Sequence, residues 1–253
     1  MIMPHMFGKP DVSPFLDVYY AHRGLHDNHS GVPENSLLAF GLAAEQGYGI
    51  EMDVRLTKDE QAVVFHDDTL KRICGLDRWV NSMTYEELKK LSLLGTEERI
   101  PLFSEALEVI GGRVPLIIEI KMVDSRTRVC ELVDRILQNY QGQYCMESFH
   151  PIAVYWYKKH RPEIVRGQLS ADFPKEGERE TFPMWIVHHL LANFLARPDF
   201  ISYSHKGAGV PARRICRSLY RNLSVAWTIR SEEELEKARR QFDLFIFEGF
   251  RPK

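Results

Sequence analysis

The sequence predicts a (β/α)8 barrel, on three observations. Short runs of β-branched and aromatic residues alternate with longer helical patterns from one end of the chain to the other, the signature of a parallel sheet covered by helices. Eight such runs fall within 253 residues, and eight alternations in about 250 residues is the arithmetic of this barrel. Charged and imidazole side chains gather at the ends of the first strands, where such barrels carry their catalytic groups. An open doubly wound sheet is the competing architecture.

The first run, VYYAHRG (18–24), leads to a helix over Asn35–Gln46, and the second, GIEMDVRLT (49–57), to an irregular stretch. There QAVVFHDDTL reads as a further short strand and MTYEELKKLSLL as a short helix, so residues 67–100 are expected to form an insertion subdomain after the second strand. The remaining strands are VPLIIEIK (114–121), QYCMESF (143–149), EIVRGQLS (163–170), DFISYS (199–204), LSVAWTI (223–229) and DLFIFEG (243–249). Helices are expected over Phe103–Ile110, Arg126–Asn139, His150–His160, Pro183–Ala196, Pro211–Tyr220 and Glu232–Gln241, several with Ser, Asn or Pro near the start. No long helix can follow the eighth strand, and the N-terminal residues 1–17 or a partner chain are expected to cover the groove there. Residues 1–253 are read as a single domain.

Hydrophobic residues at 44% and charged residues at 27% are ordinary for a globular protein and exclude a disordered or fibrous chain. A formal charge of −2 with no basic excess argues against nucleic acid as a partner, so any recognition of an anion must be local. Cys74, Cys130, Cys145 and Cys216 lie far apart without a Cys-x-x-Cys pair, which suggests reduced structural thiols. The N-terminus does not read as a secretory signal. The apolar segment MWIVHHLLANFL (184–195) is well short of the roughly 20 residues of a membrane span and is read as a core-facing amphipathic helix, with contact to a membrane surface or a second subunit as the other reading. A cytoplasmic protein without a transmembrane segment is expected, with a homo-oligomer left open.

In the second strand Glu51 and Asp53 are two residues apart, so both side chains share one face with Cα atoms roughly 7 Å apart. A divalent cation with ligand bonds of roughly 2.0 to 2.6 Å bridges such a gap. The third strand repeats the device with Glu119 and Lys121. Ionised carboxylates beside a barrel core cost several kcal/mol unless a cation compensates them; an ordinary ion-pair network at the rim is the other reading. His22 ends the first strand and His66 follows the second, and two imidazoles beside such a cluster point to a general acid and a general base. Arg23 offers a planar fork to phosphate oxygens, and Gly24 frees the chain to turn. This equipment suits displacement at a phosphodiester.

At these residues the chain resembles the glycerophosphodiester phosphodiesterase family, a metal-dependent TIM-barrel group related to phosphatidylinositol-specific phospholipases C. The resemblance spans nearly the whole chain. It rests on AHRG followed by PENSLLAF, then GIEMDVRLTKDEQAVVFHDDTLKR, then IPLFSEAL and LIIEIK in the family's order. It implies that His22 and His66 act as acid and base, that Glu51, Asp53 and Glu119 bind Mg2+ or Ca2+, and that Arg23 and Lys121 contact the phosphate of a glycerophosphodiester. It places Asn35 near the same site, although a helix N-cap is an equal reading. Trp227 matches an aromatic at the end of the seventh strand that could pack on the alcohol, with barrel core as the alternative. The family's usual close to the eighth strand is replaced here by FEGFRP. A lyase that stops at the cyclic phosphate, or a non-catalytic phosphate- or lipid-binding barrel, would share much of this set.

Overall fold

The computed structural model describes residues 2–252 and contains two compact units, residues 20–143 and residues 2–19 with 144–252. The first unit carries β1 (Tyr19–His22), α1 (Leu37–Glu45), β2 (Gly49–Leu56), β3 (Ala62–Val64), α2 (Lys71–Cys74), α3 (Tyr85–Leu88), α4 (Phe103–Ile110), β4 (Leu116–Ile120) and α5 (Arg128–Leu137). β2 pairs in parallel with β1 and with β4, and β3 adds an antiparallel edge to the end of β2. Seven of the eight residues of β2 are buried. Its sequence can therefore alternate Ile50, Met52 and Val54 on one face with Glu51, Asp53 and Arg55 on the other.

The stretch after β2 has a small core of its own. Val63, Phe65, Leu70, Ile73, Val80 and Leu88 pack with Leu93 and Ile100, which explains how two four-residue helices persist in a segment with little regular structure. Arg55, buried under this segment, donates to the carbonyl of His66 at 2.9 Å and to Asp68 Oδ1 at 2.9 Å.

The second unit carries β5 (Tyr144–Ser148), α6 (Pro151–His160), β6 (Arg166–Ser170), α7 (Phe182–His188), α8 (Asn193–Ala196), β7 (Phe200–Ser204), α9 (Pro211–Ser218), β8 (Leu223–Ile229), α10 (Glu232–Arg239) and β9 (Leu244–Phe247). Its five strands pair in parallel in chain order. The helix expected over Pro183–Ala196 is two helices, because Leu190 adopts φ +55° in the left-handed region and interrupts the helical ladder. The pair still turns Val187, His188, Asn193 and Ala196 inward and leaves Phe182, Trp185, Phe194 and Leu195 exposed. Among the described residues no helix is long and apolar enough to cross a membrane.

The N-terminal segment is anchored at specific points. His5 donates its backbone N–H to the carbonyl of Pro198 at 3.0 Å, and its ring lies 2.6 Å from Asp199, which also faces buried Arg166 at 3.4 Å. Tyr19 packs on Phe245 and accepts a hydrogen bond from Arg239 at 2.5 Å. Residues 248–252 form no helix.

Candidate active site

Strand register assembles the acids. In the parallel pairing of β1 with β2, His22 sits opposite Glu51; in that of β2 with β4, Asp53 sits opposite Glu119. Glu51, Asp53 and Glu119 are 3%, 1% and 6% exposed, and each offers a carboxylate oxygen within 4.8 Å of the other two. His22 Nε2 lies 3.9 Å from Glu51 Oε2. Lys121, just past β4, extends its ammonium between Asp53 Oδ1 at 3.0 Å and Glu119 Oε2 at 2.9 Å.

The loop after β1 supplies the next wall through unusual backbone. Arg23 has φ +56° and Gly24 φ +82°. Only glycine suits the second position: a Cβ there would stand 2.9 Å from both the carbonyl carbon and the Cβ of Ala39 in α1. The Arg23 N–H donates to Glu51 Oε2 at 3.1 Å, and the Arg23 carbonyl accepts from the N–H of Asn35 at 2.9 Å. Asn35, itself at φ +55°, donates its side-chain amide to Asp53 Oδ2 at 2.9 Å, while its Oδ1 is buried without a hydrogen-bond partner. The helix N-cap is Ser36, whose hydroxyl accepts from the N–H of Ala39 at 3.1 Å. Asn35 thus faces the acids and Ser36 starts the helix.

The charges in this mouth oppose one another. Burial works against ionisation of Asp53, but Lys121, His66 and Arg23 together with the Asn35 amide hold its carboxyl well below the usual range. Glu119 moves the other way: burial pushes it up and the Asp53 charge adds to that, beyond what Lys121 offsets. Lys121 is itself kept charged, because Asp53 and Glu119 outweigh its burial. Three buried carboxylates with one ammonium between two of them are short of positive charge, and an all-oxygen donor set of this kind suits a hard divalent cation.

A second network lies behind His66 and Arg23, built from residues that motif reading passed over. His66 is part-exposed, and its Nδ1 meets Asp67 Oδ1 at 2.7 Å; a carboxylate can only accept there, so the ring proton belongs on Nδ1 and Nε2 is left for chemistry. Arg72 from α2 donates to Asp67 through Nε and Nη2, both at 2.8 Å. It also donates to Glu34 through Nη1 at 2.7 Å and Nη2 at 2.8 Å. Glu34 in turn accepts from Arg23 Nη1 at 2.6 Å and Asn28 Nδ2 at 2.8 Å. Burial would raise Glu34, but Arg72, Arg23 and Asn28 together lower it to about 2. Glu34 lies within PENS, and Asp67 and Arg72 within HDDTLKR, stretches that carry the family resemblance.

Eight of the nine residues singled out from sequence therefore meet in the unit of residues 20–143. Trp227 belongs to the other unit, where its ring meets Phe149 edge-on at 5.7 Å in a cluster with Ala171, Phe173, Met184 and Val187. Its indole N–H is buried without a partner. In β7 Tyr203 donates to the carbonyl of His188 at 3.1 Å, and just after it Lys206 pairs with Glu176 at 2.8 Å.

Solved structures share this fold over about nine-tenths of the chain. The structure of an Oleispira antarctica phosphodiesterase in complex with the product sn-glycerol-3-phosphate superposes with a TM-score of 0.74 at 25% identity, covering 92% of this chain and 93% of that one. A glycerophosphodiester phosphodiesterase from Thermotoga maritima gives 0.69 at 27% identity, covering 91% and 94%. The fold is the (β/α)8 barrel expected from the sequence, and the protein is a phosphodiesterase of that architecture. Residues 22–243 match the model of the glycerophosphoryl diester phosphodiesterase family. A glycerophosphodiester phosphodiesterase from Bacillus altitudinis is 31% identical over 233 residues, covering 86% of this chain and 88% of that protein. The chain belongs to the glycerophosphodiester phosphodiesterase family.

Proposed function

We propose that the protein hydrolyses glycerophosphodiesters to sn-glycerol 3-phosphate and an alcohol, with a divalent cation bound and with His22 and His66 moving the protons. The observation that carries this reading is the convergence of three buried carboxylates within 4.8 Å of one another, flanked by Arg23, Lys121 and both imidazoles. Glu51, Asp53 and Glu119 would hold Mg2+ or Ca2+, which when bound neutralises charge on the phosphate oxygens and polarises the phosphorus centre.

In the first step one imidazole takes the proton from a glycerol hydroxyl as its oxygen forms a bond to phosphorus. The other imidazole protonates the alcohol oxygen as its bond to phosphorus breaks, and a cyclic phosphate results. In the second step water attacks phosphorus with the roles exchanged and opens the ring. Asp67 fixes the His66 tautomer so that Nε2 is the working atom. Arg23 and Lys121 orient the anion, and Glu34 fixes the Arg23 guanidinium. Asn35 holds Asp53, and Trp227 would contact the leaving alcohol.

Steady-state turnover of glycerophosphocholine by His22→Ala and His66→Ala tests the assignment. Each should lose about 10²-fold or more in kcat with an unchanged circular dichroism spectrum. Near-wild-type turnover in either variant would remove that histidine from the mechanism.

A further inference from the structure

A second concentration of positive charge lies away from the residues described above, at the strand N-termini of the unit that holds β5–β9. A cleft of about 860 Å³ opens there between the N-terminal segment, α9 and the turns that enter β8 and β9. That volume is within the roughly 300–1,000 Å³ typical of small-molecule sites. Five cationic side chains line it, Lys9, Arg213, Arg214, Arg217 and Arg221, against two acids, Asp199 and Asp243, in a chain whose formal charge is −2.

Both acids are already engaged. Asp199 meets His5 at 2.6 Å and accepts the Arg166 N–H at 3.1 Å; Asp243 meets Arg217 at 2.8 Å and accepts the Ser224 N–H at 2.9 Å. Among the described residues Lys9, Arg214 and Arg221 form no ion pair. Arg213 is more telling, because its side chain is buried at 2% exposure and yet donates only to neutral acceptors, the carbonyls of Ala208 and Gln241, the Gln241 side-chain oxygen and the hydroxyl of Ser224, with the Phe242 ring 4.3 Å from its guanidinium. Burial lowers its pKa to about 10, and the neighbouring Arg217 charge contributes in the same sense. The Asp243 charge opposes this only in part, and a buried cation without a full counter-charge is costly. Asn222, 3% exposed, donates its amide to the carbonyls of Pro198 and Asp199 and leaves Oδ1 buried with no donor.

We infer that this cleft binds a small polyvalent phosphate that also carries a hydrogen-bond donor, such as a nucleoside diphosphate. The guanidinium forks match phosphate oxygens bidentately, and a cleft with three unpaired cations at its edge and an only partly compensated one in its floor calls for more than one unit of negative charge. A hydroxyl or amine on the ligand would satisfy Asn222 Oδ1.

The test is calorimetric titration of ADP, and separately of inorganic pyrophosphate, into the full chain in the presence of a chelator. Wild type should bind in the sub-millimolar range. Arg214→Ala/Arg221→Ala, which alters only exposed positions, should bind at least about tenfold more weakly, with an unchanged melting curve. Lys121→Ala should bind as wild type does. Absence of binding at millimolar probe would overturn the inference. So would binding lost in Lys121→Ala but kept in the double arginine variant, which would place the probe in the catalytic mouth. Capture of anionic vesicles through the same arginines, with neither small probe bound, would overturn it in favour of a lipid surface.

Discussion

Replacing Glu34 with glutamine removes one charge from the point where Arg23, Arg72 and Asn28 meet. The carboxylate is nearly buried and its folded pKa falls from 4.5 to about 2. That gap is worth about 3 kcal/mol of folding stability at neutral pH, since each tenfold change in proton affinity is 1.36 kcal/mol. Because the folded pKa is the lower one, the contribution is complete above pH 4.5 and disappears as pH falls towards 2. Urea unfolding of wild type and Glu34→Gln should therefore differ by about 3 kcal/mol at pH 7 and by only about 1 kcal/mol at pH 3. Glutamine can still accept from one arginine, so the neutral-pH figure is an upper value. A difference below about 1 kcal/mol at pH 7, or one that does not shrink on acidification, would refute the argument that Glu34 is held ionised by these partners.

Three further outcomes follow from the same geometry. Asp67→Asn leaves His66 Nδ1 beside a neutral amide, so kcat should fall by about 10²-fold with KM little changed; a raised KM with kcat unchanged would instead assign Asp67 to substrate binding. Gly24→Ala must place a Cβ 2.9 Å from the backbone of Ala39 at φ +82° and should cost about 2–3 kcal/mol in denaturant unfolding; a loss under 0.5 kcal/mol would mean the loop yields freely. Glu51→Gln should weaken Mg2+ or Ca2+ binding by about tenfold or more in calorimetry, and an unchanged isotherm would remove it from the donor set.

The barrel and its acidic mouth were readable because both obey short-range rules. Eight β-rich runs gave eight parallel strands, and residues two apart, Glu51 and Asp53, had to share a face once β2 was a strand. Glu119 came beside Asp53 through parallel register, which alternation within one strand does not reveal. What escaped depends on tertiary placement. Arg72 reaches Glu34 across 38 residues of sequence, a pairing set by how the small core of Val63 to Ile100 seats α2. The break at Leu190 is a backbone choice that no proline or glycine announces. Asn35 and Ser36 are adjacent and both cap helices well, and only φ +55° at Asn35 shows which of them turns to the acids. Arg213, Arg214 and Arg217 of α9 line a cleft that exists only through the tertiary placement of the N-terminal segment beside them.

Metal-dependent hydrolysis is measured on chelator-treated protein given glycerophosphocholine with Mg2+, Ca2+ or no metal restored. Release of sn-glycerol 3-phosphate is expected only when a divalent cation is returned. Undiminished release from metal-free protein, or a cyclic phosphate as the end product, would rule out metal-dependent hydrolysis.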